Sequence, residues 1–231
     1  MLKSAKHVIL GIDEAGRGPV LGDMFVACVG LREEAMERLR GLGVRDSKSL
    51  TPHARATLFT KILEVVDIVF VKRYTPSVID QSNLNELFIN AVISSIKTIS
   101  STGIQVREVY VDALSSPKHR KKLLGNIPPN IKLVYEYKAD VKYPVVAAAS
   151  IIAKFLRDTH VNYLHSIYGD FGSGYPSDPQ TIKWLTEHSP AEVPIIRKTW
   201  LTLKKLGFKD TKGKRTRATI MDGFELKKKR L

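Results

Sequence analysis

Hydrophobic positions along this chain follow two alternating rhythms. The run Val8–Ile12 has the length and β-branched character of a buried strand, and Met24–Gly30 follows as a second, continuously apolar one, buried on both faces. A glycine-rich turn separates them, so they read as a hairpin-like return. Asp67–Tyr74, Glu108–Ala113 and Ile131–Tyr137 are three further strands, rich in β-branched and aromatic residues. Between them the apolar spacing becomes helical. Glu33–Leu42 reads as a short charged helix closed by Gly41 and Gly43, and Thr51-Pro52 supplies an N-cap and a first-turn proline for a helix reaching about Val65. Asn83–Ser100 carries Leu84, Leu87, Phe88, Ala91, Val92 and Ile96 on one face, and Tyr143–Tyr168 carries Ala149, Ile152, Ala153, Leu156, Leu164 and Ile167. Pro76 breaks the third strand. Gly169–Pro179 is too dense in glycine and proline for a regular element, and Pro179–His188 and Ile195–Leu206 read as closing helices.

Strands alternating with helices predict an α/β fold whose largely parallel or mixed sheet gathers its strand ends into one crevice. The pattern predicts one folded domain over residues 1–207. Beyond Gly207 the composition turns polar and basic, and 208–231 is expected to be a mobile tail.

Composition narrows the function classes. The formal charge of +14 favours a polyanionic partner, because neutralising phosphates releases their counterions. Nine basic and three acidic residues lie in 208–231, so the body is basic without its tail. No apolar run approaches the roughly 20 residues of a membrane span, and Met1–His7 leads into the first strand without a signal-peptide core, so a cytoplasmic protein is expected. Cys28 is the one cysteine and sits in an apolar strand, where core packing is its expected role. The six histidines are scattered without ligand spacing, which argues against zinc.

The candidate chemistry lies where strands end. Val8–Ile12 delivers Asp13 and Glu14 into the turn Gly16-Arg17-Gly18, Glu108–Ala113 ends near Asp112, and Asp140 follows Ile131–Tyr137 as a third strand-end carboxylate. Gathered carboxylates repel each other and lose hydration, a cost that a divalent cation removes. This oxygen-rich set suits Mg²⁺ or Mn²⁺, and paired ions about 3.5–4 Å apart support in-line phosphoryl displacement. Glycines flanking Arg17 let the backbone approach a ligand. Because consecutive strand residues face opposite ways, Asp13 and Glu14 share one centre only if the strand ends between them; that break is predicted, with Gly16 completing it. Ser150, Lys154, Arg157 and Asp158 lie on one helical face suited to tracking a phosphate backbone. Tyr175, between Gly174 and Pro176, presents a ring from a stiff turn and suits stacking on a sugar or base. The basic segment Ser116–Leu124 reads as a solvated helix face.

These residues carry a family resemblance. D-E-A-G-R-G-P at Asp13–Pro19, D-S-K-S-L at Asp46–Leu50, Y-V-D-A at Tyr110–Ala113, K-A-D-V-K-Y-P-V-V-A-A-A-S-I-I-A-K at Lys138–Lys154, R-D at Arg157–Asp158 and G-S-G-Y-P-S-D-P at Gly172–Pro179 resemble type 2 ribonuclease H, ribonuclease HII, of the archaeal kind. The resemblance implies a ribonuclease H-like fold: a five-stranded mixed sheet flanked by helices, plus a C-terminal helical region that helps hold substrate. It implies that Asp13, Glu14, Asp112 and Asp140 hold two divalent ions, Mg²⁺ or Mn²⁺, and that Gly16, Arg17 and Gly18 recognise the ribose 2′-hydroxyl. Tyr175 would pack on the neighbouring sugar, and Ser47, Lys48, Ser150 and Lys154 would contact the nucleic-acid backbone. The substrates would be RNA–DNA hybrids and duplex DNA containing ribonucleotides, cut 5′ to the ribonucleotide to leave a 3′-hydroxyl and a 5′-phosphate by a monomeric enzyme. Some relatives end in a sliding-clamp motif, but Thr219–Leu226 lacks the glutamine and paired aromatics that such a motif needs. Two rival readings are a type 3 ribonuclease H, which shares the carboxylates, and a non-catalytic nucleic-acid-binding protein, for which the charge alone would suffice.

Overall fold

The computed structural model describes residues 7–44, 50–114, 117–208 and 223–226. Strand β1 (His7–Ala15) lies at the centre, antiparallel to β2 (Met24–Arg32), which continues through a 3₁₀ turn into α1 (Met36–Gly41). Next come α2 (Pro52–Val65), β3 (Ile68–Tyr74), α3 (Pro76–Asp80), α4 (Leu84–Ser101), β4 (Gln105–Asp112), α5 (Pro117–Leu124) and β5 (Lys132–Glu136). The chain continues through α6 (Ala139–Lys142), α7 (Pro144–Tyr168), α8 (Pro179–Glu187), α9 (Leu201–Lys205) and β6 (Gly223–Leu226). The sheet order is β5-β4-β1-β2-β3-β6, with β4 parallel to both β1 and β5 and the other neighbours antiparallel. The expected five-stranded mixed sheet is therefore present. A sixth strand is added from the predicted tail, where Gly223–Leu226 pairs with Val69–Lys72 of β3.

Alternation along β1 divides the interior into two layers. Val8, Leu10 and Ile12 pack with Phe88, Val92 and Ile96 of α4, while Ile9 packs with Val146, Ala149 and Ala153 of α7. Gly11 permits the second contact, because a Cβ there would lie 2.3 Å from the backbone of Val145. Helix α7 therefore begins directly against β1, and its first turns are buried. Cys28 packs in the α4 layer, where burial pushes its thiol up to about 12. A third cluster joins Val20 and Leu21 to Leu164, Phe171, Leu185, Ile196 and Leu203, seating the C-terminal region beside the end of β1. Among the described residues, no helix is long and apolar enough to cross a membrane.

One local expectation is extended and two are corrected. Pro76 does not merely end β3 but opens α3, since proline fits the first helical turn. Ile195–Leu206 is not one helix: Ile196 bridges to Leu21, Arg197 is drawn inward, and only Leu201–Lys205 turns helical. Asp140 does not end a strand either, because β5 stops at Glu136 and Asp140 lies in the first turn of α6.

Candidate active site

The predicted break between Asp13 and Glu14 is absent. Strand β1 stays paired to β2 as far as Ala15 opposite Phe25, so the backbone runs extended through both acids. Its pairing with β4 stops earlier, at Ile12 opposite Val111. The two carboxylates consequently leave opposite faces at a point where one strand edge has opened. Asp13 lies on the α7 side, hydrogen-bonded to the hydroxyl of Ser150. Glu14 lies on the α4 side, where Arg17 Nε donates to its Oε1 and Arg17 Nη1 donates to Asn85 Oδ1 at 2.8 Å. Both still line one cleft of about 450 Å³, together with Asp112, Asp140, Gly16, Arg17, Gly18, Lys154 and Tyr175.

Asp112 is the last residue of β4, and its Oδ1 accepts from the amide of Ala139 at 2.8 Å. That bond ties the strand end to the turn that delivers Asp140. Lys138 makes the turn with φ 57° and ψ 39°, a left-handed conformation that costs a β-carbon-bearing residue roughly 1 kcal/mol or more. Asp140 is brought by it to a buried position in the cleft wall.

Burial dominates the electrostatics. It raises the Asp13 carboxyl from 3.8 to about 7, with the charges of Asp112 and Glu14 adding to the shift and Ser150 and the Glu14 amide opposing it. Glu14 is raised for the same reason, with Arg17 pulling it back. Across the cleft stand cations. Lys154 Nζ donates to Ser150 Oγ at 2.9 Å, and Arg55 pairs with Asp158. Arg157 lies 5.0 Å over the ring of Tyr175 while donating to the Ser173 carbonyl.

The turn after β1 is fixed from two sides. Gly16 has φ +87°, and a Cβ on it would lie 2.5 Å from the carbonyl oxygen of Asp23, so glycine is required there. Gly18 faces the Tyr175 ring, which a Cβ would approach to 3.3 Å. On the other side is a residue that sequence reasoning missed. Arg197 is wholly buried, and its guanidinium donates to the carbonyls of Gly22 (2.8 Å), Arg17 (3.1 Å) and Gly16 (2.6 Å). Trp200 Nε1 donates to the Gly18 carbonyl at 3.2 Å. Arg55 and Asn85 were also missed. An arginine behind two isoleucines gives no sign of its direction, and a helix-face arginine such as Arg55 looks solvated.

Comparison with known proteins decides the family. The sequence profile described as Ribonuclease HII matches residues 10–203. A Ribonuclease HII of Pyrococcus furiosus is 41% identical over 93% of this chain and 97% of its own length. The chain belongs to the ribonuclease HII family. Its fold resembles the crystal structure of the ribonuclease H2 from Pyrococcus horikoshii, with a TM-score of 0.77 at 39% identity, covering 86% of this chain and 96% of that one. A second structure, the PCNA:RNase HII complex from Archaeoglobus fulgidus, matches with a TM-score of 0.76 at 35% identity over 88% of this chain and 98% of that one. The protein is therefore a ribonuclease H enzyme, and neither the type 3 nor the non-catalytic reading is favoured.

Within this ribonuclease HII, the residues expected from the sequence fall into three groups. The four carboxylates, the Gly16-Arg17-Gly18 turn, Lys154 and Tyr175 line the cleft. Ser150 belongs to its floor rather than to an exposed backbone-tracking face, being buried under Asp13 and Lys154. Ser47 and Lys48 lie outside the described residues. The donor set fits hard divalent ions: every carboxylate offers oxygen, and Glu14 Oε2 is buried without a hydrogen-bond partner. Among the described residues, no three acidic, histidine or cysteine side chains form a closed metal cage. Opposite faces for Asp13 and Glu14 account for the open arrangement.

Proposed function

We propose that this ribonuclease HII cuts the RNA strand of RNA–DNA hybrids and incises duplex DNA on the 5′ side of an embedded ribonucleotide, leaving a 3′-hydroxyl and a 5′-phosphate. The observation carrying this reading is the meeting, in one cleft, of four carboxylates with a turn whose carbonyls are all held from behind. Among the described residues, none accepts a backbone hydrogen bond from the amides of Gly16, Arg17 or Gly18. Those amides are therefore free of backbone acceptors among the described residues, and a ribose 2′-hydroxyl is an acceptor that RNA has and DNA lacks.

Asp13, Glu14, Asp112 and Asp140 would hold the two divalent ions, Mg²⁺ or Mn²⁺. When bound, such ions activate a water and stabilise the leaving oxygen. The protein's own groups do the rest. Arg17 restrains one oxygen of Glu14 and leaves the other available, and Ser150 holds Asp13 in place. Lys154, Arg157 and Arg55 give the opposite wall the positive charge that attracts a phosphodiester strand. Tyr175, 37% exposed beside Gly18, packs on the sugar next to the ribonucleotide.

A clamp-binding role is not part of the proposal. The Archaeoglobus fulgidus relative was solved with PCNA, but Thr219–Leu226 of this chain lacks the glutamine and paired aromatics of a clamp motif.

The test is cleavage of a labelled DNA duplex carrying one ribonucleotide, with an all-DNA duplex alongside, in Mg²⁺, Mn²⁺ or EDTA. One cut 5′ to the ribonucleotide, dependent on the ion, is expected. Cutting that survives EDTA, or equals that of the all-DNA duplex, would overturn the proposal.

A further inference from the structure

The side chains that hold the Gly16–Gly18 turn come from a segment almost 200 residues along the chain. Arg197 spends its guanidinium on carbonyls before, within and after the bend, those of Gly16, Arg17 and Gly22. Its backbone amide donates to the Val20 carbonyl at 2.9 Å. Trp200 completes the set through Gly18, with its ring 4.9 Å beneath the Arg197 guanidinium.

This segment is itself braced. Asp80, at the end of α3, accepts from the amides of Lys198 (2.8 Å) and Thr199 (3.0 Å) and from the Thr199 hydroxyl (2.8 Å). Leu21 and Ile196 add an antiparallel bridge. A guanidinium presents donors in a rigid planar fork, so three simultaneous bonds determine the orientation of the carbonyls they reach. A peptide plane is rigid, so holding the carbonyls of Gly16 and Arg17 fixes the directions of the Arg17 and Gly18 N–H groups on the same planes, whereas the Gly18 carbonyl shares its plane with Pro19, which has no N–H, so Trp200 anchors the exit of the turn.

We infer that Arg197 and Trp200 are the residues that set ribose discrimination in this enzyme, acting as positioning groups from behind: Arg197 aims the Arg17 and Gly18 amides into the cleft, and Trp200 pins the peptide that follows Gly18 and so holds the exit of the turn. The inference rests on the reading of that turn as the 2′-hydroxyl recogniser. It adds that recognition is not intrinsic to the glycine–arginine–glycine sequence. Without its rear supports, the same turn would relax, and a turn that does not hold its donors in place cannot reward one hydroxyl. Sites built to hydrogen-bond a substrate hydroxyl owe their discrimination to such fixed donors.

The experiment measures binding, so that chemistry does not intervene. In a non-cleaving Asp112→Asn background with Mg²⁺, fluorescence anisotropy gives affinities for two duplexes that differ only in one 2′-hydroxyl. Arg197→Lys keeps the buried charge but loses the fork; Trp200→Phe keeps the ring but loses the donor to Gly18. The parent is expected to favour the ribonucleotide duplex, and each variant to lose at least tenfold of that preference while its affinity for all-DNA duplex stays within twofold. Trp200→Phe is the milder change and decides the matter should Arg197→Lys fail to fold. A preference equal to the parent's in Trp200→Phe, including one in which both affinities fall together, would overturn the inference while leaving the turn's role standing. A parent that shows no preference would overturn both.

Discussion

Asp13→Asn separates what the carboxylate costs the fold from what it gives the chemistry. Burial raises this group from 3.8 to about 7, and each tenfold change in proton affinity corresponds to about 1.4 kcal/mol. The sign follows from linkage. Between those two values the folded, ion-free protein binds a proton that the unfolded chain has released, so stability falls as pH rises from about 4 to about 7 and levels off above. At pH 8 the penalty reaches about 4 kcal/mol at most. Asparagine has the same shape, its side-chain oxygen can still accept the Glu14 amide at the 2.7 Å position of Asp13 Oδ1, and it carries no charge to desolvate. In EDTA the variant is therefore expected to be more stable than the parent at pH 8, by a shift on the order of 10 °C for a chain of this size, and to match it near pH 4. Millimolar Mn²⁺ should raise the parent's midpoint and narrow the gap, because an ion that binds only the folded state adds RT ln(1 + [L]/Kd). Cleavage should be abolished in the variant throughout. Thermal unfolding at pH 4, 6 and 8, with and without the ion, checks each point. An Asp13→Asn protein no more stable than its parent at pH 8 in EDTA would refute the claim that this carboxylate is buried at a cost.

Two further substitutions test the turn and its neighbour. Gly16→Ala places a β-carbon 2.5 Å from the Asp23 carbonyl at a φ of +87°, so a loss of more than about 2 kcal/mol in unfolding free energy is expected, with at least a hundredfold loss of kcat/KM; near-normal values in both assays would contradict the strain. Tyr175→Ala removes the ring that borders Gly18, and aromatic stacking of this kind is worth about 1–3 kcal/mol, so KM for a single-ribonucleotide duplex should rise roughly 5- to 150-fold with kcat little changed. An unchanged KM would remove Tyr175 from the substrate surface.

What the sequence makes legible here is what local chemistry determines. Thr51 accepts from the Ala54 amide at 3.2 Å and Asn83 from the Asn85 amide at 2.9 Å, so both helix starts could be read from a capping residue and its neighbours. Strands β1 to β5 too were marked by their composition, whereas β6 lies in the stretch read as a mobile tail. Long-range partners were not. Arg197 lies between Ile196 and Lys198, a context that spells an amphipathic helix until one knows that carbonyls about 180 residues earlier need a donor. Asp140 shows the same limit on a smaller scale, because a left-handed Lys138 moves it from the predicted strand end to the first turn of a helix without removing it from the cleft. Chemistry was readable because the acids are identified by type, while the route by which each reaches the cleft depends on pairing that no short window contains.

Glu14 brings the two kinds of information into conflict and shows how the fold resolves it. Period-2 geometry requires Asp13 and Glu14 to point apart if the strand continues, and it does continue. Sequence reasoning made a shared centre depend on breaking β1. The structure instead ends the neighbour, since β4 stops at Asp112 and pairs with β1 only up to Ile12. Beyond that point the two faces of β1 are no longer separated on that side, so acids that diverge can border a single space. The arrangement also explains why their surroundings differ: Asp13 meets a hydroxyl and the floor of α7, whereas Glu14 meets a guanidinium tied to α4. A broken strand would have surrendered the β2 pairing that holds Ala15 opposite Phe25, and with it the fixed start of the glycine turn. A continuous β1 beside a shortened β4 keeps the turn rigid and the cleft open together.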